Sequence, residues 1–408
     1  MSLFAKNQQL RRVLYVLWIV IAAVGAWGLW QRAETGHRLA NYGSYVPWGL
    51  WVAAYIFFIG LSAGAFLLSA LVFGFGFNKL ERLAPYALLT ALATLFMALF
   101  SIFLDLGHPF RAVNVFLHPN FGSMMTWMVW LYTAYFILII AESVLAFRPL
   151  LANQQEGLRG MIAKLIGSAN GYTDEQRERD ESRLKILGRL GIPLAISFHG
   201  GVGALFATVV ARPYWHSALY PILFLTGALV SGGALMLAVA LIFGDDMDPA
   251  GEAIQMLRKI VVGLLAFDLL LEWAEYSIPM WYNIGPEAAL MKEVLFGHYW
   301  YVFWVFHFGL GAIIPLILFM RAPKSAPALI TGGLLTALTY MAVRLNLVVP
   351  ALIEPQLKGL ENAYIRSRLV FEYFPSAMEW SVLAGITALG AALWYVGYRL
   401  VLNRERMA

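Results

Sequence analysis

RKIVVGLLAFDLLLEWAEYSIPMWY, residues 258–282, is long and apolar enough to cross a bilayer, yet it carries Asp268, Glu272 and Glu275. Their i, i+4, i+7 spacing puts three carboxyls on one face of a helix. An acid at the centre of a membrane helix costs roughly 2.5–3.5 kcal/mol on insertion scales. Three on one stripe should therefore face protein or a wet cavity and not lipid. A proton route or a polar ligand site follows as the expectation. The alternative is an acid network that only ties helices together.

The rest of the sequence supplies similar runs. Of 408 residues, 61% are hydrophobic and only 13% charged, far from the usual balance of a soluble protein. The apolar residues come in stretches of about 20, as spanning helices require. Ten spans are expected, at 13–30, 48–74, 84–105, 123–147, 189–211, 217–243, 259–281, 299–320, 326–349 and 377–401. The first follows Lys6, Arg11 and Arg12 but is longer than a signal-peptide core, so it reads as a retained span. Loops on the side of both termini hold 20 Lys and Arg, and the opposite loops hold eight, including Lys358. Both termini are therefore expected in the cytoplasm. The fold class is all-α integral membrane, with the net charge of +5 placed at helix ends; nucleic-acid binding is not expected.

A repeat runs through this order. SAGAFLLSAL from Ser62 is echoed by SGGALMLAVA from Ser231, and Phe121-Gly122 by Phe296-Gly297. GGVGALFATVVAR from Gly200 is echoed by GGLLTALTYMAVR from Gly332. Residues 48–212 and 215–349 thus read as two four-helix bundles of the same orientation, with 13–30 and 377–401 as flanking helices, all within one membrane domain. The large loop 148–188 carries DEQRERDESRLK from Asp174, read as a solvated helix.

There is no cysteine, so neither a thiolate-held iron–sulfur cluster nor covalently attached haem can reside here. Of seven histidines only His199 and His307 lie deep in spans. Nothing in their flanks favours a haem between them, and His307, set among Phe303, Phe306 and Phe308, reads as a packed histidine. The remaining polar groups gather at the ends of spans. LDLGHPFR holds Asp105, His108 and Arg111; AVRLNLVVP holds Arg344 and Asn346. An acid, an imidazole, an Arg and an amide beside aromatic walls can hydrogen-bond quinone oxygens and exchange their protons. Asp105, His108, Glu275, Arg344 and Asn346 are accordingly expected to converge on one quinone site near the outer face. Arg344 needs an acidic partner, which Glu275 or Glu379 could supply. A proton path is expected along Asp268 and Glu272, relayed by His199 and continued by Glu142.

The span-two motif, the DLGHP turn at 105–109, RLNLVVP at 344–350 and YFPSAMEW at 373–380 resemble the NrfD/PsrC family, the polysulfide-reductase type of membrane subunit. Ten spans match its longer branch. FHGGVGALFATVVARPYW, 198–215, is most similar to the DsrP-like members of that branch, from the DsrMKJOP complex of sulfur-metabolising bacteria and archaea. The resemblance implies an inner-membrane subunit of a respiratory complex, using menaquinone or ubiquinone and holding no haem or iron–sulfur cluster. It also implies a periplasmic ferredoxin-like iron–sulfur subunit seated over the outer loops, with further membrane and cytochrome subunits. HybB- or HmcC-type hydrogenase or cytochrome-linked quinone subunits are alternatives. A secondary transporter is the alternative from another class, because parallel repeats and buried charges occur there too.

Overall fold

The computed structural model describes residues 2–357, 359–364, 366 and 368–403; Lys358, Arg404 and Arg406 of the charge count lie outside them. The described residues contain no strand. The principal helices are α1 (Gln8–Thr35), α2 (Leu50–Phe75), α3 (Ala84–Asp105), α4 (Met124–Phe147), α5 (Gly157–Ile166) and α6 (Asp174–Ala207). They continue with α7 (Tyr220–Phe243), α8 (Glu252–Tyr282), α9 (Gly285–Phe296), α10 (Val302–Arg321), α11 (Ala326–Val348) and α12 (Ala377–Gly397).

Nine of these, among the described residues, are long and apolar enough to cross a membrane. The multi-pass membrane character follows. Each of the ten expected spans lies on a helix, but α8 falls outside the nine because its charges dilute its apolar run. Those charges sit where their spacing puts them. Asp268, Glu272 and Glu275 are all buried, whereas Phe267, Leu270 and Trp273 of the same helix are exposed.

The loop expected over 148–188 is largely helix. Its charged run is continuous with the fifth span in α6, 34 residues long, so about 50 Å. Thr173 and Gln176 form a reciprocal capping box at its start, with Asp174 and Glu175 in the first turn, where acids favour the helix dipole. Roughly 20 residues suffice to span a bilayer, so the charged part projects beyond it.

α2 and α7 form the seam of the molecule. α2 packs against α3 and α6, α7 against α8 and α11, and α2 and α7 pack against each other. A Cβ at Gly64 would lie 2.1 Å from the Ala228 carbonyl oxygen, and one at Gly232 would lie 2.6 Å from Gly64 Cα. Backbone meets backbone at this crossing, and only glycine permits it. α1 packs on α12 at the flank. At one end, Phe4 packs on Phe243 and Phe243 on Tyr398, bringing the N-terminal residues to the end of α12.

Candidate functional site

The interior site is built from α7, α8, α10 and α11. Asp268 accepts hydrogen bonds on both oxygens, from Thr226 at 2.5 Å and from the Tyr340 hydroxyl at 2.7 Å. One helical turn on, Glu272 Oε2 lies 3.2 Å from His307 Nε2. A further turn on, Glu275 accepts from Ser217 at 2.8 Å. Residues 302–313, which carry His307, form a π-helix, a local widening of the turn that is frequent at functional sites. Arg344 is buried with its guanidinium 4.6 Å from the Phe224 ring centroid. A Cβ at Gly227 would come within 2.9 Å of Arg344 Nη2, so glycine there makes room for the cation.

A cavity of about 50 Å³ lies among these helices, bordered by Asp268, Glu272, Glu275, Tyr276, Tyr340 and Arg344 among others. A water needs about 10–15 Å³ on this measure, so the cavity holds a few waters and not an aromatic head group. Three carboxylates and a phenol on the cavity wall, with the His307 imidazole against Glu272, form an arrangement suited to holding and passing protons.

A second polar cluster lies where α1, α3 and α12 meet the start of α2. Arg32 donates to the Leu104 carbonyl at 2.9 Å and lies 2.7 Å from His37 Nε2. An arginine offers only donors, so Nε2 of a neutral His37 accepts and Nδ1 carries the proton. Nδ1 hydrogen-bonds the Tyr42 hydroxyl, leaving the phenolic proton free to be donated elsewhere. Burial first, then the charge of Arg32, holds His37 below the ordinary histidine range. Burial, aided by the charges of Asp105 and Glu379, pushes Tyr42 far above the ordinary phenol range. Asp105 lies within electrostatic reach of Arg32 and Tyr42, and its Oδ1 is buried with no hydrogen-bond partner among the described residues.

The five residues expected at one quinone site do not share one. Glu275 and Arg344 border the interior cavity. Asp105 belongs to the second cluster, and His108 is exposed at the surface. Asn346 is buried beside the cavity wall: its carbonyl accepts from Tyr214, while its side-chain amide is unpartnered among the described residues. Residues that share a depth in the membrane can still stand in different helix groups. Nor does Glu379 serve Arg344. It accepts from Tyr373 at 2.5 Å, from the Asn41 amide at 3.0 Å and from its own capping box at Ser376.

Of the expected proton carriers, Asp268 and Glu272 stand together. His199 is fully buried on α6, and the Phe224 backbone approaches it without closing a well-aligned hydrogen bond. The Phe224 ring, against which Arg344 lies, has its centroid 6.3 Å from that of His199. Glu142 on α4 is fully buried, and neither oxygen finds a partner among the described residues. Among those residues, no hydrogen bond joins His199 or Glu142 to the Asp268 cluster. Sequence reasoning passed over Tyr340, Thr226, Arg32, His37 and Tyr42, and read His307 only as packed. Its aromatic wall is there, with Phe303 at 5.4 Å, but the imidazole also faces Glu272.

Known proteins bear on these clusters. The sequence pattern of the family described as "Polysulphide reductase, NrfD" matches residues 39–356. The protein is 35% identical over 401 residues to a selenate reductase subunit of Mesobacillus selenatarsenatis, covering 96% of its own length and 94% of the relative's. It is 28% identical to the Hdr-like menaquinol oxidoreductase integral membrane subunit of Archaeoglobus fulgidus, covering 95% and 92%. It is 25% identical over 308 residues to a polysulfide reductase subunit of Wolinella succinogenes, covering 73% and 92%. These relatives are named as parts of larger reductases and oxidoreductases. With its multi-pass helical architecture and the family pattern over most of its length, the protein belongs to the NrfD family of polysulfide-reductase-type membrane subunits.

Proposed function

We propose that this protein is the quinone-exchanging membrane subunit of a respiratory complex in the inner membrane, passing electrons between quinone and an iron–sulfur subunit seated over the outer loops. The observation that carries it is the unpartnered Asp105 oxygen within electrostatic reach of Arg32 and Tyr42. A quinone supplies two-electron, two-proton chemistry. Tyr42 would donate to a quinone oxygen, Arg32 would hold the His37 tautomer that frees the Tyr42 proton, and Asp105 would accept or return a proton. The interior cluster of Asp268, Glu272, His307, Tyr340 and Arg344 would handle protons through water. Its small cavity has no room for a solute, which weighs against the transporter reading.

In this reading α8 is the tenth span, spans two to five and six to nine are parallel repeats, and the Lys and Arg distribution sets both termini in the cytoplasm. The selenate and polysulfide reductase relatives support a partner that acts on a sulfur or selenium compound, with a DsrP-like role one member of that class. The menaquinol oxidoreductase relative supports menaquinone.

The test is steady-state quinol oxidation by the assembled complex. Asp105→Asn and His37→Ala should raise KM for quinol and lower turnover, while Glu275→Gln leaves KM unchanged. The reverse pattern would move the quinone to the interior cavity and overturn the assignment.

A further inference from the structure

The ten residues of α5, Gly157–Ile166, are held at both ends by the ends of long apolar helices. Arg148, the residue after α4, donates from Nε to the Ile166 carbonyl at 2.6 Å. Arg159 donates to the Arg399 and Asn403 carbonyls, at 2.7 and 3.0 Å, where α12 runs out. α5 therefore bridges two membrane-helix ends and lies at the depth where they leave the bilayer. One face, with Gly160, Ala163 and Ile166, is buried against the protein. Leu158, Met161 and Leu165, at i, i+3 and i+7, point away from it and are 54%, 67% and 86% exposed. Lys164 is exposed as well.

We propose that α5 is an in-plane membrane helix. Leu158, Met161 and Leu165 enter the acyl layer of the leaflet, and Lys164 and Arg159 stand at the level of anionic head groups. An apolar stripe bordered by cations is the pattern of helices that lie in the interface. The depth fixed by the Arg148 and Arg159 contacts makes lipid, and not a partner in the aqueous phase, its occupant. The charged start of α6 then rises from a membrane-bound platform.

The protein has no cysteine, so single cysteines can be spin-labelled in the full-length protein without further change. In bilayer discs of phosphatidylcholine and phosphatidylglycerol, labels at Leu165→Cys and Met161→Cys should relax strongly with oxygen and weakly with a water-soluble nickel chelate. A label at Glu175→Cys, on the projecting part of α6, should show the opposite. Nickel access at Leu165→Cys equal to that at Glu175→Cys would place the helix in water. Protection from both reagents would mean that protein covers it. Either result overturns the proposal.

Discussion

The helices α2, α3, α4 and α6 and the helices α7, α8, α10 and α11 enclose interiors that are unlike in chemistry. Tyr132 stands eleven residues past Phe121, and His307 stands eleven past Phe296. In the first group Tyr132 faces the Tyr55 ring, with centroids 5.8 Å apart, and nearby Tyr135 bonds to Ser62 at 2.9 Å. In the second group His307 faces Glu272, and Asp268 sits between two hydroxyl donors. The first group buries Glu142 with no hydrogen-bond partner among the described residues. The second gives its acids donors, a cation and water space. The interior of the first group thus holds hydroxyls and an isolated acid, and that of the second holds a connected ionisable network.

Asp268→Asn strikes this contrast hardest. It keeps size and one of the two acceptor oxygens but removes the exchangeable proton, and quinol turnover of the assembled complex should fall roughly 100-fold. Wild-type turnover with unchanged proton stoichiometry would make the second group's network structural. The next effect is on stability. His307→Ala leaves Glu272 buried beside an empty space and should cost about 3–5 kcal/mol, read as a lowered melting temperature in detergent. His307→Ala combined with Glu272→Gln should recover part of that loss, the excess over additivity measuring the pair. The smallest effect is expected in the first group. Glu142→Gln replaces an unpartnered acid by a neutral amide of the same shape, and turnover should stay at the wild-type rate. A loss comparable to that of Asp268→Asn would give the first half a proton route of its own and break the comparison.

Depth along a span was readable from residues alone, and lateral position was not. Hydropathy marked the helices, and the i, i+4, i+7 spacing correctly turned Asp268, Glu272 and Glu275 to the buried side of α8. Asp105 and Arg344 both lie near helix ends, but which helix group each would face depends on packing between segments far apart in sequence. The π-helix of residues 302–313 was equally hidden, because its wider turn departs from the 3.6-residue period by which helical faces are read. Arg32, His37 and Tyr42 gave no signal, since each looks like an ordinary loop or helix-end residue until the fold brings Asp105 within electrostatic reach of Arg32 and Tyr42. Glu379 was visible as a buried acid. Its capping box could have been read from Ser376 three residues earlier, which would have removed it as a counter-ion for Arg344.

The glycine contact between α2 and α7 has a mechanical meaning. With Gly64 and Gly232 in backbone contact, the two halves have no layer of interdigitating side chains at that crossing to shear or repack. A methyl group added at either glycine would have to wedge α2 from α7, so the spacing of the whole seam rests on two side chains that are not there.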